Sequence, residues 1–189
     1  MGEFSSYPFM GCDVKFEFRP KKSMRPVICS ADQLPFRNSV FDAVVVSDVL
    51  EHIAPDRRKN TITEILRVAR SLVLFGYPCG PDAFQLDRRL RGDYQSGGLL
   101  PPIWLEEHIL HPFPDRDLFV DLPPGWKVVR IIPNETLRFH YWMMRKEMFK
   151  PWGYLFRLGL LTVPGILRWF LDLANHEPSY RKIFVLTRA

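Results

Sequence analysis

The chain has 189 residues, 47% hydrophobic and 25% charged, which suits one domain with a sizeable core. Its net charge of +5 is scattered in pairs such as Lys21-Lys22, Arg57-Arg58 and Arg88-Arg89. No concentrated basic stripe is present, which argues against a nucleic-acid partner. Three cysteines without CxxC spacing argue against a disulfide framework or a thiolate zinc site, and read as the reduced thiols of a cytoplasmic protein.

The first ten residues, MGEFSSYPFM, show no basic region followed by an apolar run, so no signal peptide is expected. Gly11 to Val14 reads as the end of a short strand. Residues 19–26 (RPKKSMRP) hold two prolines and four basic residues and read as a loop. Val27 to Cys29 is a short apolar run followed by a turn at Leu34-Pro35. Phe41 to Ser47 (FDAVVVS) is rich in valine, as in parallel strands covered on both faces. Pro55 suits the first turn of a helix. Ile62, Ile65, Leu66 and Ala69 then mark one buried face, with Arg58, Lys59, Glu64 and Arg67 outside it. Ser71 to Tyr77 is a second buried strand.

Residues 80–125 are rich in glycine and proline and read as mostly loop, with short helices at Trp104 to Leu110 and Asp115 to Leu122. Strands are expected at Trp126 to Ile132 and Ile183 to Thr187. Between them, residues 135–178 form an insertion rich in aromatics and arginine. Its longest charge-free piece, Leu158 to Leu167, contains Pro164 and is far shorter than the roughly 20 apolar residues of a spanning helix. Three readings of residues 139–175 stand open: a cap burying its aromatics on the sheet, a lid over a pocket, or a membrane-surface contact.

The alternation of strand and helix points to an α/β fold with a parallel sheet and right-handed crossovers. Ligands of such sheets bind beyond the carboxyl ends of the strands. Three of these ends carry suitable groups: Asp13, Asp32, and Ser47 with Asp48. A carboxylate there can accept from both ribose hydroxyls of a nucleoside. An Asp after a strand is also a common turn residue or helix cap.

The ordered set GCDV, SADQLPF, FDAVVVSDVLEH and EILRVARSLVLFGYP, from Gly11 to Pro81, resembles class I S-adenosylmethionine-dependent methyltransferases. The resemblance implies a Rossmann-like, mostly parallel sheet with flanking helices and a helical insertion before the last strand. It implies S-adenosylmethionine as cofactor. Asp13 takes the ribose and Val14 packs on the adenine. Ala31, Asp32 and Gln33 meet the adenine edge, the Gln33 N–H serving a ring nitrogen. Ser47 lines the methionine arm, and Pro78 borders the acceptor pocket. The chain departs from the family in lacking its GxGxG-like loop, which leads us to expect that the first strand and helix are missing, through truncation or degeneration.

His52, at the cofactor-facing start of a helix, is a candidate base where the acceptor must lose a proton; capping or packing the helix start is the alternative. His108 and His111, in EEHILHPFP, form a second cluster. His108 is a candidate over the acceptor pocket, against a surface or structural pair. The HxxH spacing is not HExxH, and no metal is assigned. The expected function is methyl transfer to a small-molecule, lipid or glycan acceptor. The alternative is a non-catalytic or truncated methyltransferase-like partner subunit, as a dimer, or a peripheral membrane module.

Overall fold

A computed structural model describes residues 9–16, 23–148 and 174–188. Strands β1 (Phe9–Asp13) and β2 (Met24–Ile28) pair in parallel as a two-stranded sheet. Strand β2 begins inside the stretch expected to be a loop. Pro26 fits because it lies opposite Gly11 in a strand with only one ladder partner among the described residues.

The larger sheet has the order β3-β4-β6-β5, from β3 (Phe41–Ser47), β4 (Ala69–Pro78), β5 (Trp126–Thr136) and β6 (Ser179–Arg188). Strands β3 and β4 are parallel, and β6 runs antiparallel to both β4 and β5. Three of its four strands therefore share one direction, and the molecule is a mixed α/β fold of Rossmann-like character. The expectation that β3 is covered on both faces is not met among the described residues: Val46 is buried, but Val45 is 69% exposed.

Helix α1 (Pro55–Val68) starts with proline where its missing N–H is not needed and buries Ile62, Ile65 and Leu66. Each such side chain contributes about 1.5–3 kcal/mol of apolar burial. They meet Val73, Phe75 and Tyr77 of β4 and Phe184 and Leu186 of β6 in one core. Tyr77 stacks on Phe184 with ring centroids 5.2 Å apart.

Two sequence expectations are corrected here. Arg58, assigned to the outer face of α1, is only 4% exposed. Its guanidinium donates to the carbonyls of Leu50, Ile53 and Pro112, a set of acceptors that only the folded chain assembles. Residues 80–96, read as loop, form the long helix α2 (Gly80–Ser96). Gly80, at φ +85°, makes the turn out of β4, and Ala83, Asp87 and Leu90 form the buried face. A carboxylate in that face interrupts the apolar pattern that would have marked a helix. Helices α3 (Ile103–His108) and α4 (Leu137–Glu147) follow. Much of the aromatic insertion lies outside the described residues, so the cap, lid and membrane readings of that part are carried only by its sequence.

Candidate functional site

Asp13 ends β1, Asp32 lies four residues past β2, and Ser47 ends β3. The β2–β3 connection is fastened to α1. The Leu34 N–H donates to Glu64 Oε1 at 2.8 Å, and Arg67 donates to the carbonyls of Leu34 and Phe36 and to Asn38 Oδ1. Glu64 and Arg67, expected to face away, are the clamp that sets the Leu-Pro-Phe turn. Asp32 is held at the amino end of α1 by Arg57 and accepts from Ser30 Oγ. The Ser30 hydroxyl and then Arg57 hold its carboxyl below the usual range.

The expected cofactor residues differ in what they leave available. Asp13 is exposed and accepts the Lys15 N–H at 3.3 Å, and Val14 beyond it is 66% exposed. Ala31 lies half-buried in the turn. The Gln33 N–H, expected to serve a ring nitrogen, instead donates to the Ser30 carbonyl at 3.1 Å, because residues 30–33 close a tight turn on themselves. The Ser47 hydroxyl donates to Asp48 Oδ2 at 3.0 Å. This set fits the nucleoside half of S-adenosylmethionine: an exposed carboxylate for a diol, and a turn for an adenine edge. No GxG loop that would let the backbone approach the remainder occurs in the chain.

On the carboxyl side of β3 the chain turns sharply. Asp48 takes a left-handed backbone at φ +55°, and its N–H donates to the Gly76 carbonyl at the end of β4. A short 3-10 turn, Leu50–His52, follows. That turn buries Glu51 completely and leaves His52 exposed. Arg181 of β6 pairs with Asp48, Nη2 lying 2.6 Å from Oδ1.

His52 and His108, far apart in sequence, come together with ring centroids 5.2 Å apart. Arg58 ties together the two segments that carry them, donating to the carbonyls of Leu50, two residues before His52, and Pro112, four residues after His108. Glu51 completes the group: one ligand atom from each of Glu51, His52 and His108 lies within 4.8 Å of the others. Neither Glu51 oxygen accepts a hydrogen bond of normal geometry. Burial pushes the Glu51 carboxyl up to about 8. Burial, and then the neighbouring His108, hold His52 below the ordinary histidine range.

Behind His108 is a network that the sequence did not signal. Asp87, fully buried on α2, lies 3.0 Å from His108 Nδ1 and accepts the Tyr180 hydroxyl at 2.8 Å. His140 of α4 stacks on Tyr180 with centroids 3.4 Å apart. Its Nδ1 lies 3.1 Å from Glu135, and its Nε2 lies 3.7 Å from Asp87. Burial works to raise Asp87, but bonds from His108, His140 and Tyr180 outweigh it and hold the carboxyl low. Nothing in the sequence links Asp87, His140 and Tyr180, since each stands alone in its own segment.

At the end of β4, Pro78 is buried, and the cleft beside it is lined by the residues that follow, including Cys79, Gly80 and Asp82, with Asp115 and Lys182 opposite. The cleft encloses about 210 Å³. Burial pushes the Cys79 thiol up to about 12, which removes it as a nucleophile near neutral pH.

The geometry can be set beside known proteins. No curated protein matches the chain in sequence. Among solved structures, the magnesium protoporphyrin IX methyltransferase of Synechocystis, with bound SAH, is similar at 12% identity and a TM-score of 0.44, over 88% of this chain and 52% of its own. A methyltransferase of Thermotoga maritima described as a possible histamine N-methyltransferase is similar at 11% identity and a TM-score of 0.46, over 88% of this chain and 65% of its own. A putative methyltransferase of Bacillus halodurans is similar at 15% identity and a TM-score of 0.46, over 89% and 72%. The chain spans about half the length of the first of these, and no residue's role rests on such distant likeness. In sequence, residues 6–75 match the methyltransferase domain family. That match runs from β1 into β4 and takes in Asp13, Asp32 and Ser47 at or just beyond the ends of β1, β2 and β3, so over residues 6–75 the chain is similar to the methyltransferase domain family.

Proposed function

We propose that the protein transfers a methyl group from S-adenosylmethionine to a small-molecule, lipid or glycan acceptor. The observation that carries this reading is the placement of Asp13, Asp32 and Ser47 at three successive strand ends within the family match. Asp13 binds the ribose diol, Ala31 and Asp32 face the adenine, and Ser47 faces the methionine arm. The cofactor supplies an activated methyl group. The chain's own residues supply proximity and orientation. His52 and His108 lie beside the carboxyl end of β3, where an acceptor proton is within reach of an exposed imidazole. The low proton affinity of His52 keeps it neutral and able to accept.

The test is calorimetric titration with S-adenosylmethionine. Saturable binding at millimolar affinity or tighter is expected, weakened at least roughly tenfold in Asp13→Ala, since a charged hydrogen-bond acceptor is lost. Asp13 is exposed, so the variant keeps its fold.

A second reading is favoured by one feature. Among the described residues β1 and β3 each have an unpaired edge, and Val45 of β3 is largely exposed. Unpaired, apolar strand edges invite another chain. The protein is then a partner subunit, peripheral at a membrane through residues 139–175 or cytoplasmic, and a chain silent toward S-adenosylmethionine at high concentration leaves this reading standing.

A further inference from the structure

The group at the end of β3 holds more than a candidate base. Glu51 is 0% exposed, and both of its oxygens lack a hydrogen-bond donor. A buried carboxyl without partners is costly, and native folds keep one where something fills the gap. Asp48 and Arg181 lie beside it, and the imidazoles of His52 and His108 each bring a donor atom within 4.8 Å. Arg181 directs its two Nη atoms to the oxygens of Asp48.

His108 is prepared in a specific way. A carboxylate can only accept, so Asp87 fixes the proton of His108 on Nδ1, 3.0 Å away. In that tautomer of the neutral ring, Nε2 carries the lone pair that a metal ion would take. A carboxylate behind a histidine is the arrangement that orients metal-binding imidazoles and raises their basicity. Trp104 and Phe113 hold the ring from the sides, at centroid distances of 5.3 and 5.6 Å.

We propose that Glu51, His52 and His108 form a binding site for a divalent first-row transition-metal cation. Two imidazoles and one carboxylate suit zinc, manganese or iron better than magnesium, which prefers all-oxygen sites. The three donors lie within 4.8 Å of one another, whereas donors around a tetrahedral ion are about 3.4 Å apart. His52 is the exposed member of the three and is the one free to adjust toward a shared ion. Three protein donors leave at least one position for water or an anionic oxygen ligand. The site depends on its own ligands and stands whether or not the chain binds S-adenosylmethionine.

The test uses Mn²⁺ alone, followed by the paramagnetic resonance of the free ion, on chelator-treated protein. Manganese is chosen because Cys12, Cys29 and Cys79 are free thiols that would compete for a softer ion. One ion per chain is expected. His52→Ala and Glu51→Gln should each weaken binding at least roughly tenfold. His52 is exposed, and Gln keeps the volume of Glu51, so each variant retains the fold. Absence of binding at millimolar Mn²⁺ overturns the proposal, as does binding by both variants with unchanged affinity.

Discussion

Arg58 shows how a single side chain can hold a site without entering it. Its guanidinium is buried and donates to carbonyls in the segments that carry both histidines, at 3.1 Å to Leu50, 2.9 Å to Ile53 and 2.6 Å to Pro112. Truncation leaves those carbonyls without a donor, at about 1–3 kcal/mol for each that water cannot reach. Arg58→Ala should therefore lower unfolding free energy by roughly 2–4 kcal/mol in urea denaturation. The residue was misread from the sequence because arginine is rarely buried and periodicity places it beside, not within, the apolar face of α1. The aliphatic positions of that helix were legible because burial of Ile62, Ile65 and Leu66 follows directly from their spacing.

At the scale of elements, α2 is the instructive case. Its buried face consists of Ala83, Asp87 and Leu90 with Gly80 at the turn, a pattern too weakly apolar to declare a helix. What holds it is tertiary: Ala83 packs with Phe113 and Tyr180, and Asp87 bonds to His108 and Tyr180. Leu90 is fully buried. Leu90→Ala should cost about 2–5 kcal/mol, read from the thermal midpoint, whereas the same change in a surface loop would be nearly silent. The strands were more legible. Phe41–Ser47 was placed by its valine run alone. Strand β2 began earlier than its apolar residues suggested, because an edge strand tolerates Pro26.

Across the whole molecule, the Asp87 network joins α2, α3, α4 and the start of β6, while Glu135 ties in β5. Its histidine gives the fold a pH dependence of definite sign. Burial works to lower His140, but Asp87 and Glu135 outweigh it and leave its proton affinity above the ordinary value of 6.5. The folded state therefore binds that proton more tightly than the unfolded chain. The resulting stability is fully present below the unfolded value and is lost as pH rises through the folded one. Unfolding free energy should fall as pH is raised from 6, and His140→Gln should make that fall shallower. Glu51, pushed up to about 8 by burial, contributes a decline of the same sign from about 4.5 upward. The share of His140 is thus the difference between the two slopes. An unchanged slope in His140→Gln would overturn the assignment.

The sequence by itself determined the α/β alternation, the strand of Phe41–Ser47, the apolar face of α1 and the positions of Asp13, Asp32 and Ser47 at strand ends. These follow from local periodicity and from turn-forming residues, which act over a few positions of chain. It also singled out His52 and His108 separately. Only the tertiary structure brought those two imidazoles to 5.2 Å, buried Glu51 beside them and set Asp87 behind them. Such contacts join α2, α3 and the end of β3 across long stretches of sequence. Their strength depends on exclusion of water, a property of the assembled core that no local pattern records.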